Sequence, residues 1–309
     1  MRETERLIRE LNSDPDTESV LADAPMGEYC SFKAGGRADC LFVPRGEAGL
    51  LRALRRIRDL GLSYFVMGAG TNLLVRDGGF RGVIVKPGAG MRAVRVDGAR
   101  VAALCGASRC ELATAAATAS LGGLEFAHGI PGSVGGAVYM NAGAYGGEIG
   151  GVLESARVFL PDEDAVVSLR RAELAFAYRS SLLQSLGGVV LEARFALAPG
   201  NGAEIRARMS DFARRRAEKQ PLHLPSAGSF FRRPAGGFAG KLIEDAGLSG
   251  LSCGGARISP RHSGFIVNEG GATASEIIDL AEIVRSIVFD RFGVMLHPEV
   301  RIIGDDIDL

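Results

Sequence analysis

The 309-residue chain carries 36 basic and 36 acidic residues, a formal net charge of zero, and is 47% hydrophobic, enough apolar material to bury the cores of two or three compact lobes. Without a single-sign field it is not built to hold nucleic acid or an anionic membrane by broad electrostatics, so an anionic partner has to be gripped locally. The start, MRETERLIRELNSDPDTES, is charged and amphipathic, and no later window approaches about 18 uninterrupted apolar residues, which predicts a cytoplasmic protein without a spanning helix.

Residues 4–11 read as a helix and 12–16 as a turn. Residues 40–43 form a strand candidate closed by Pro44, and 47–60 repeat apolar residues at helical spacing until Gly61. A second strand over 63–67 leads into Gly68-Ala69-Gly70-Thr71-Asn72, then the apolar run 73–75, the turn Asp77-Gly78-Gly79 and a strand over 82–86. Alternating runs at 91–96 and 100–104 flank Asp97-Gly98 and read as a hairpin. An alanine-rich helix over 111–120 enters a glycine-rich stretch, 121–147. Strands follow at 153–160, 165–169 and 189–198, and Pro199-Gly200-Asn201-Gly202 marks a lobe boundary. Beyond it come a basic helix over 203–220, a helix over 238–246, strands at 256–259 and 264–268, a long helix over 273–292 and a closing strand over 299–303. The order is mixed α and β, with no internal repeat.

The stretch LGGLEFAHGIPGSVGGAVYMNAGAYGG (121–147) holds nine of the 43 glycines and one carboxylate, Glu125. Glycine loses conformational entropy on folding, so a dense run needs a reason. Phe126, Ile130, Val134, Val138, Met140 and Tyr145 are spaced through it as core anchors, which argues against a disordered tail. The remaining reason is a backbone that approaches a flat or anionic ligand closely, with N–H groups where side chains would stand. The turn 68–72 sits where a phosphate-binding loop is placed. It is not a dinucleotide fingerprint, because Leu73 stands where the third glycine is required and no long helix follows. Gly240-Lys241 resembles the end of a nucleotide-triphosphate loop, but Ala235 and Leu242 replace its glycine and hydroxyl residue, which excludes that class. Ser229 lacks the G-x-S-x-G elbow, and the nearest histidine, His223, has no evident orienting acid, so it is no acyl-transfer nucleophile. Five scattered cysteines without a C-x-x-C, and four dispersed histidines, predict free thiols and no metal site.

Taken in order, GAGTNLLVRDGGFRG (68–82), GLEFAHGIPGSVGGAVYMNAGAYGGEI (123–149), AYRSS (177–181), KQPLHLPSAGSFFRRP (219–234), FAGKLIEDAGLSG (238–250), GGARIS with HSGFIVN (254–268) and HPEVRIIG (297–304) resemble the UDP-N-acetylenolpyruvoylglucosamine reductase (MurB) family of peptidoglycan synthesis. The KQP and FAGKLIEDAGL wording, without a tyrosine-bearing insertion after Tyr178-Arg179, resembles its shorter second type. One departure is Cys30-Ser31-Phe32-Lys33-Ala34-Gly35-Gly36, where the family more often shows threonines before the Phe.

The resemblance implies an α+β chain of the vanillyl-alcohol-oxidase/PCMH-like FAD-binding fold: lobe 1 over 1–96, lobe 2 with the flavin cradle over 97–201, and an α/β substrate-binding lobe over 202–309. It implies non-covalent FAD, so His128 is not expected to attach it, with NADPH as co-substrate and a small-molecule nucleotide sugar as substrate. No nucleic acid, membrane or obligatory protein partner is expected. The implied reaction reduces an enolpyruvyl ether to a lactyl ether, a step that needs developing negative charge steadied and one proton delivered. Arg179 is implied for the charge, Ser229 for the proton and Glu299 as a second acid. Gly68, Ala69, Gly70, Thr71, Asn72 and Leu73 are implied to hold the pyrophosphate. Ile130, Pro131, Gly132, Ser133, Gly135, Gly136, Asn141 and Ala142 would line the flavin ring. Tyr178, Lys219 and Lys241, and more weakly Arg215, are implied to meet the substrate. A flavin oxidase of the same fold, or a nucleotide-sugar-binding protein without catalysis, would share the glycine stretches.

Overall fold

Apolar residues placed at strand and helix periods build two compact units in the computed structural model, which describes residues 2–305. The first unit comprises residues up to 21, 40–69 and 82–215; the second comprises 22–39, 70–81 and 216 onward. The dividing point after Arg215 falls inside the basic helix Gly202–Lys219. No helix among the described residues is long and apolar enough to cross a membrane.

The first unit is organised by a five-stranded antiparallel sheet in the order Ala165–Arg170, Leu153–Leu160, Val189–Ala196, Arg100–Leu104, Val94–Asp97. The expected hairpin is present: Asp97 pairs with Arg100, and Gly98, at φ +56°, supplies the left-handed position of the two-residue loop. Val189, Val190, Leu191, Ala193 and Phe195 of the central strand are buried in the main core. The helix Arg109–Thr118 starts at a capping box, in which Ser108 Oγ accepts from Glu111 N–H and the Glu111 carboxylate accepts from Ser108 N–H. The helix Glu47–Asp59 buries Leu50, Ala53, Leu54 and Ile57, one face at helical spacing. A parallel pair joins Tyr64–Val66 to the end of Phe80–Val85, with Val66 opposite Val85.

The second unit packs an antiparallel three-stranded sheet, Ser252–Cys253, Ala256–Ile258 and Ile266–Asn268, under the helix Ala274–Phe292. That helix buries Ile277, Leu280, Ala281, Val284 and Val288, and ends at Gly293 with φ +67°. Its start is capped twice. Thr273 and Glu276 form a capping box, and the Asp77 carboxylate accepts from Ala274 N–H at 2.9 Å, Ser275 N–H at 2.7 Å and Ser275 Oγ at 2.6 Å. The closing strand Arg301–Ile303 pairs in parallel with Leu73–Val75.

Three local features differ from the sequence pattern. A strand, Thr17–Pro25, follows the first turn; of its residues only Ala24 is buried, so no alternation announces it. A short helix, Val134–Tyr139, lies within the glycine stretch, capped by Ser133 Oγ. The closing strand starts at Arg301 rather than Glu299, because Glu299 N–H is taken by the Phe230 carbonyl at 2.7 Å.

Candidate active site

In the first unit, missing side chains let the predicted cofactor segments meet. A Cβ on Gly68 would stand 2.2 Å from Ser133 Oγ, so only glycine admits the Ser133 hydroxyl, which accepts from Gly136 N–H and caps Val134–Tyr139. Val134 N–H donates to the Ala107 carbonyl and Gly135 N–H to that of Cys105, both at 2.8 Å. A Cβ on Gly135 would lie 2.9 Å from Cys105 Cβ. The amides of Val134, Gly135 and Gly136 are therefore already satisfied, and this segment offers main-chain surface rather than free donors. Gly132 is at φ +143°, and a Cβ there would strike the Arg109 guanidinium, which donates to the Pro131 carbonyl. Cys105 is buried beneath the stretch, and burial pushes its thiol up to about 12, so it is an inert packing group. His128 Nδ1 lies 3.5 Å from Cys110 Sγ.

The turn 68–72 has the opposite character. The Gly70 carbonyl accepts from Ser31 N–H at 3.0 Å and the Asn72 carbonyl from Arg301 N–H at 3.1 Å. Among the described residues no protein acceptor takes the N–H groups of residues 68, 69, 70, 71 or 72. Beside Gly70, Ser31 Oγ is buried with no hydrogen-bond partner. A Cβ on Gly70, which sits at φ +66°, would lie 2.3 Å from the Tyr29 carbonyl. Consecutive amides and a hydroxyl lacking acceptors suit the pyrophosphate of FAD, and the glycines bring the main chain close enough to use them. The residues present fit that cofactor.

The Tyr178-Arg179 segment is a tight turn: Ala177 N–H donates to the Ser180 carbonyl and Ser180 N–H to that of Ala177, both at 3.1 Å. Arg179 is half-buried at φ +53°, a left-handed conformation that costs a non-glycine residue about 1–2 kcal/mol. Its guanidinium lies 5.0 Å over the ring of the exposed Tyr178 and donates to the Gly143 carbonyl at 3.2 Å. Asn141, implied to line the flavin, has a fully buried amide that donates to the Ala177 carbonyl at 3.0 Å and accepts from Gly150 N–H at 2.8 Å. The stretch also contains a buried carboxylate, Glu125, paired with the exposed Arg208. Burial opposes ionising Glu125, yet hydrogen bonds from Arg208, at 2.6 Å, and from Gly123 N–H hold its carboxyl below the usual range.

In the second unit, the segment after Ser229 lies between two others. Phe230 N–H donates to the Gly264 carbonyl, Phe230 O accepts from Glu299 N–H, and Arg232 N–H donates to the His297 carbonyl. Ser229 bridges Phe265 and is exposed, while Phe230 is fully buried and fixes the segment. Ser229 and Glu299 thus stand on adjacent chain segments. Asn72 donates through Nδ2 to the Glu299 carbonyl at 3.1 Å, tying the glycine turn to the second acid. Lys219 is exposed at the C-terminus of its helix. Lys241 Nζ is 2.5 Å from Asp245 Oδ1, one helical turn on, which raises the lysine's pKa, and Arg215 pairs with Asp211 at 2.7 Å. Arg109 and Gln184 are not singled out by any sequence signal, whereas Ser31 stands in the segment 30–36 noted for its departure from the family.

An α+β unit with a glycine-lined main chain and a turn of acceptor-free amides defines a flavin-binding oxidoreductase. Residues 38–168 match the family model described as FAD binding domain, and residues 220–303 match that of the UDP-N-acetylenolpyruvoylglucosamine reductase C-terminal domain. The UDP-N-acetylenolpyruvoylglucosamine reductase of Clostridium botulinum (strain Hall) is 47% identical over 306 residues, 99% of each chain. That of Clostridium perfringens (strain SM101) is 47% identical over 290 residues, 94% of each. The crystal structure of the corresponding reductase (MurB) from Thermus caldophilus matches with a TM-score of 0.78 at 33% identity, over 92% of this chain and 98% of that one. The chain belongs to the UDP-N-acetylenolpyruvoylglucosamine reductase family, and is an FAD-dependent oxidoreductase with the expected α+β flavin fold.

Proposed function

We propose that in the cytoplasm this chain reduces the enolpyruvyl ether of UDP-N-acetylenolpyruvoylglucosamine to the lactyl ether of UDP-N-acetylmuramate, with NADPH as reductant, in peptidoglycan precursor synthesis. FAD, when bound, supplies the hydride for the terminal carbon of the enolpyruvyl group after reduction by NADPH. Hydride addition there drives negative charge into the carboxylate as an enolate. Arg179 brings an always-charged planar fork to that carboxylate. The Ser229 hydroxyl delivers the proton to the adjacent carbon, and Glu299 hydrogen-bonds the enolate as the second acid. Residues 1–96 and 97–201 hold the flavin through the turn 68–73 and the segment 130–142. Residues 202–309 receive the nucleotide sugar, with Lys219 at its diphosphate, Lys241 exchanging Asp245 for a phosphate, and Tyr178 beside the sugar.

The observation that carries this reading is the Arg179 turn, a strained arginine fastened to the glycine stretch through Asn141 and Gly143. The test separates the two halves of the reaction. Purified protein should be yellow, should bleach with NADPH and should recover its colour when the enolpyruvyl sugar is added. Ser229→Ala should bleach normally and fail to recover. Recovery at the wild-type rate removes Ser229 as the proton donor, and turnover with oxygen but not with the enolpyruvyl sugar favours a flavin oxidase.

A further inference from the structure

The conformation of Arg179 is maintained by side chains that have no part in the reaction described above. Gln184 Nε2 donates to two carbonyls at once, that of Arg179 at 3.1 Å and that of Tyr139 at 3.0 Å. Ser181, 4% exposed, donates through Oγ to the same Tyr139 carbonyl at 2.7 Å. Asn141 holds the near side of the turn at the Ala177 carbonyl. The turn is therefore gripped on both flanks, at residues 177 and 179, by groups anchored on the segment 139–141 of the glycine stretch. A single amide spanning the carbonyl of the strained arginine and that of the stretch fixes the distance between them.

We propose that Gln184 is a positioning residue for Arg179, acting with Ser181 and Asn141 to hold the arginine in register with the flavin-lining segment. This rests on the reading of Arg179 as the group that steadies the substrate carboxylate. Left-handed φ confines the direction in which the side chain leaves the backbone, and the Gln184 bridge stops the turn relaxing toward the commoner right-handed form. Loss of the bridge leaves the guanidinium present but displaced, and displacement of about 1 Å slows an oriented reaction up to about a hundredfold.

The test uses the FAD-loaded enzyme and rapid mixing, following bleaching by NADPH and reoxidation by the enolpyruvyl sugar separately. Gln184→Met keeps length and apolar bulk and removes both donors. It should bleach at the wild-type rate and reoxidise about ten- to a hundredfold more slowly. In an Arg179→Gly background the same substitution should slow reoxidation no further, because no guanidinium remains to be placed. Equal slowing of both half-reactions, or full additivity with Arg179→Gly, overturns the proposal in favour of a general packing role. Wild-type reoxidation in Gln184→Met overturns it as well. Wild-type reoxidation in Arg179→Gly itself instead sinks the underlying role of Arg179, and the two failures are told apart by that single variant. If Gln184→Met does not retain flavin, Ser181→Ala, which removes one donor to the Tyr139 carbonyl, is read by the same criteria.

Discussion

The contact between Gly68 and Ser133 joins the two glycine segments of the first unit, and a double-mutant cycle measures it. In Gly68→Ala the new methyl would stand 2.2 Å from Ser133 Oγ and 3.2 Å from Ser133 Cβ. The hydroxyl must turn away, abandoning its 3.2 Å bond from Gly136 N–H and uncapping Val134–Tyr139, a loss of about 1 kcal/mol. The residual tight contact with the Ser133 β-carbon brings the overpacking penalty to about 1–3 kcal/mol in total. Gly68 is not in the left-handed region, so alanine is allowed there and recovers about 0.4–1 kcal/mol of unfolded-chain entropy. Ser133→Ala alone removes the cap and should destabilise by about 1 kcal/mol. In the double variant the cap is lost once rather than twice, so the combined effect should fall about 1 kcal/mol short of the sum. The assay is urea denaturation of all four proteins together with the fraction of FAD each retains. Effects that add to within about 0.3–0.5 kcal/mol would mean that the two segments do not touch, and would refute the cradle described here.

Asp77→Ala strips three hydrogen bonds from the start of Ala274–Phe292 and should lower stability by about 1–2 kcal/mol, with faster amide exchange in that first turn; unchanged exchange there would show that Thr273 alone suffices. His262 provides a pH test: burial, with the Lys219 charge acting the same way, holds its imidazole below the ordinary 6.5 despite an opposing backbone hydrogen bond. Its neutral form is the one the folded state favours, so its contribution is fully present above 6.5 and is lost as pH falls from there toward the lower folded value. His262→Gln should flatten the fall of stability as pH drops below 6.5, and an unaltered slope there would contradict the sign.

Local chemistry made much of this fold readable. Gly61 and Gly293 stop helices, Thr273 starts one, and Asp97-Gly98 makes a hairpin; each signal acts within a few residues and survives in the folded chain. The same locality hides the rest. The closing strand pairs with Leu73–Val75, and Asn72 reaches Glu299 across 227 residues, a partnership that no period or turn signal encodes. Thr17–Pro25 is mostly exposed, so its strand lacks an apolar face to betray it. For the site, glycine density at 121–147 shows that main chain must approach something, yet which glycine makes room for which atom is a matter of tertiary packing. Asn141 shows the limit clearly: no local signal places its buried amide between the Ala177 carbonyl and Gly150 N–H, 36 and 9 residues away.

The backbone around the site uses two solutions to one steric problem. Where only space or a left-handed turn is needed, the chain places glycine, as at Gly68 and Gly70. Where a side chain must project from a left-handed turn, it keeps the side chain and accepts strain: Asn141 at φ +44°, Tyr145 at +51° and Arg179 at +53°. Each costs about 1–2 kcal/mol that glycine would largely avoid, so retention has to be offset by what the side chain does. For Asn141 that is a pair of buried hydrogen bonds, and for Tyr145 a stack on Phe212 with ring centroids 4.6 Å apart. Arg179 donates to the Gly143 carbonyl at 3.2 Å and stands over the half-exposed ring of Tyr178. Contacts of that size contribute about 1 kcal/mol or less each. Under the role proposed for Arg179, the substrate carboxylate would add a charge-assisted contact to those this turn already makes.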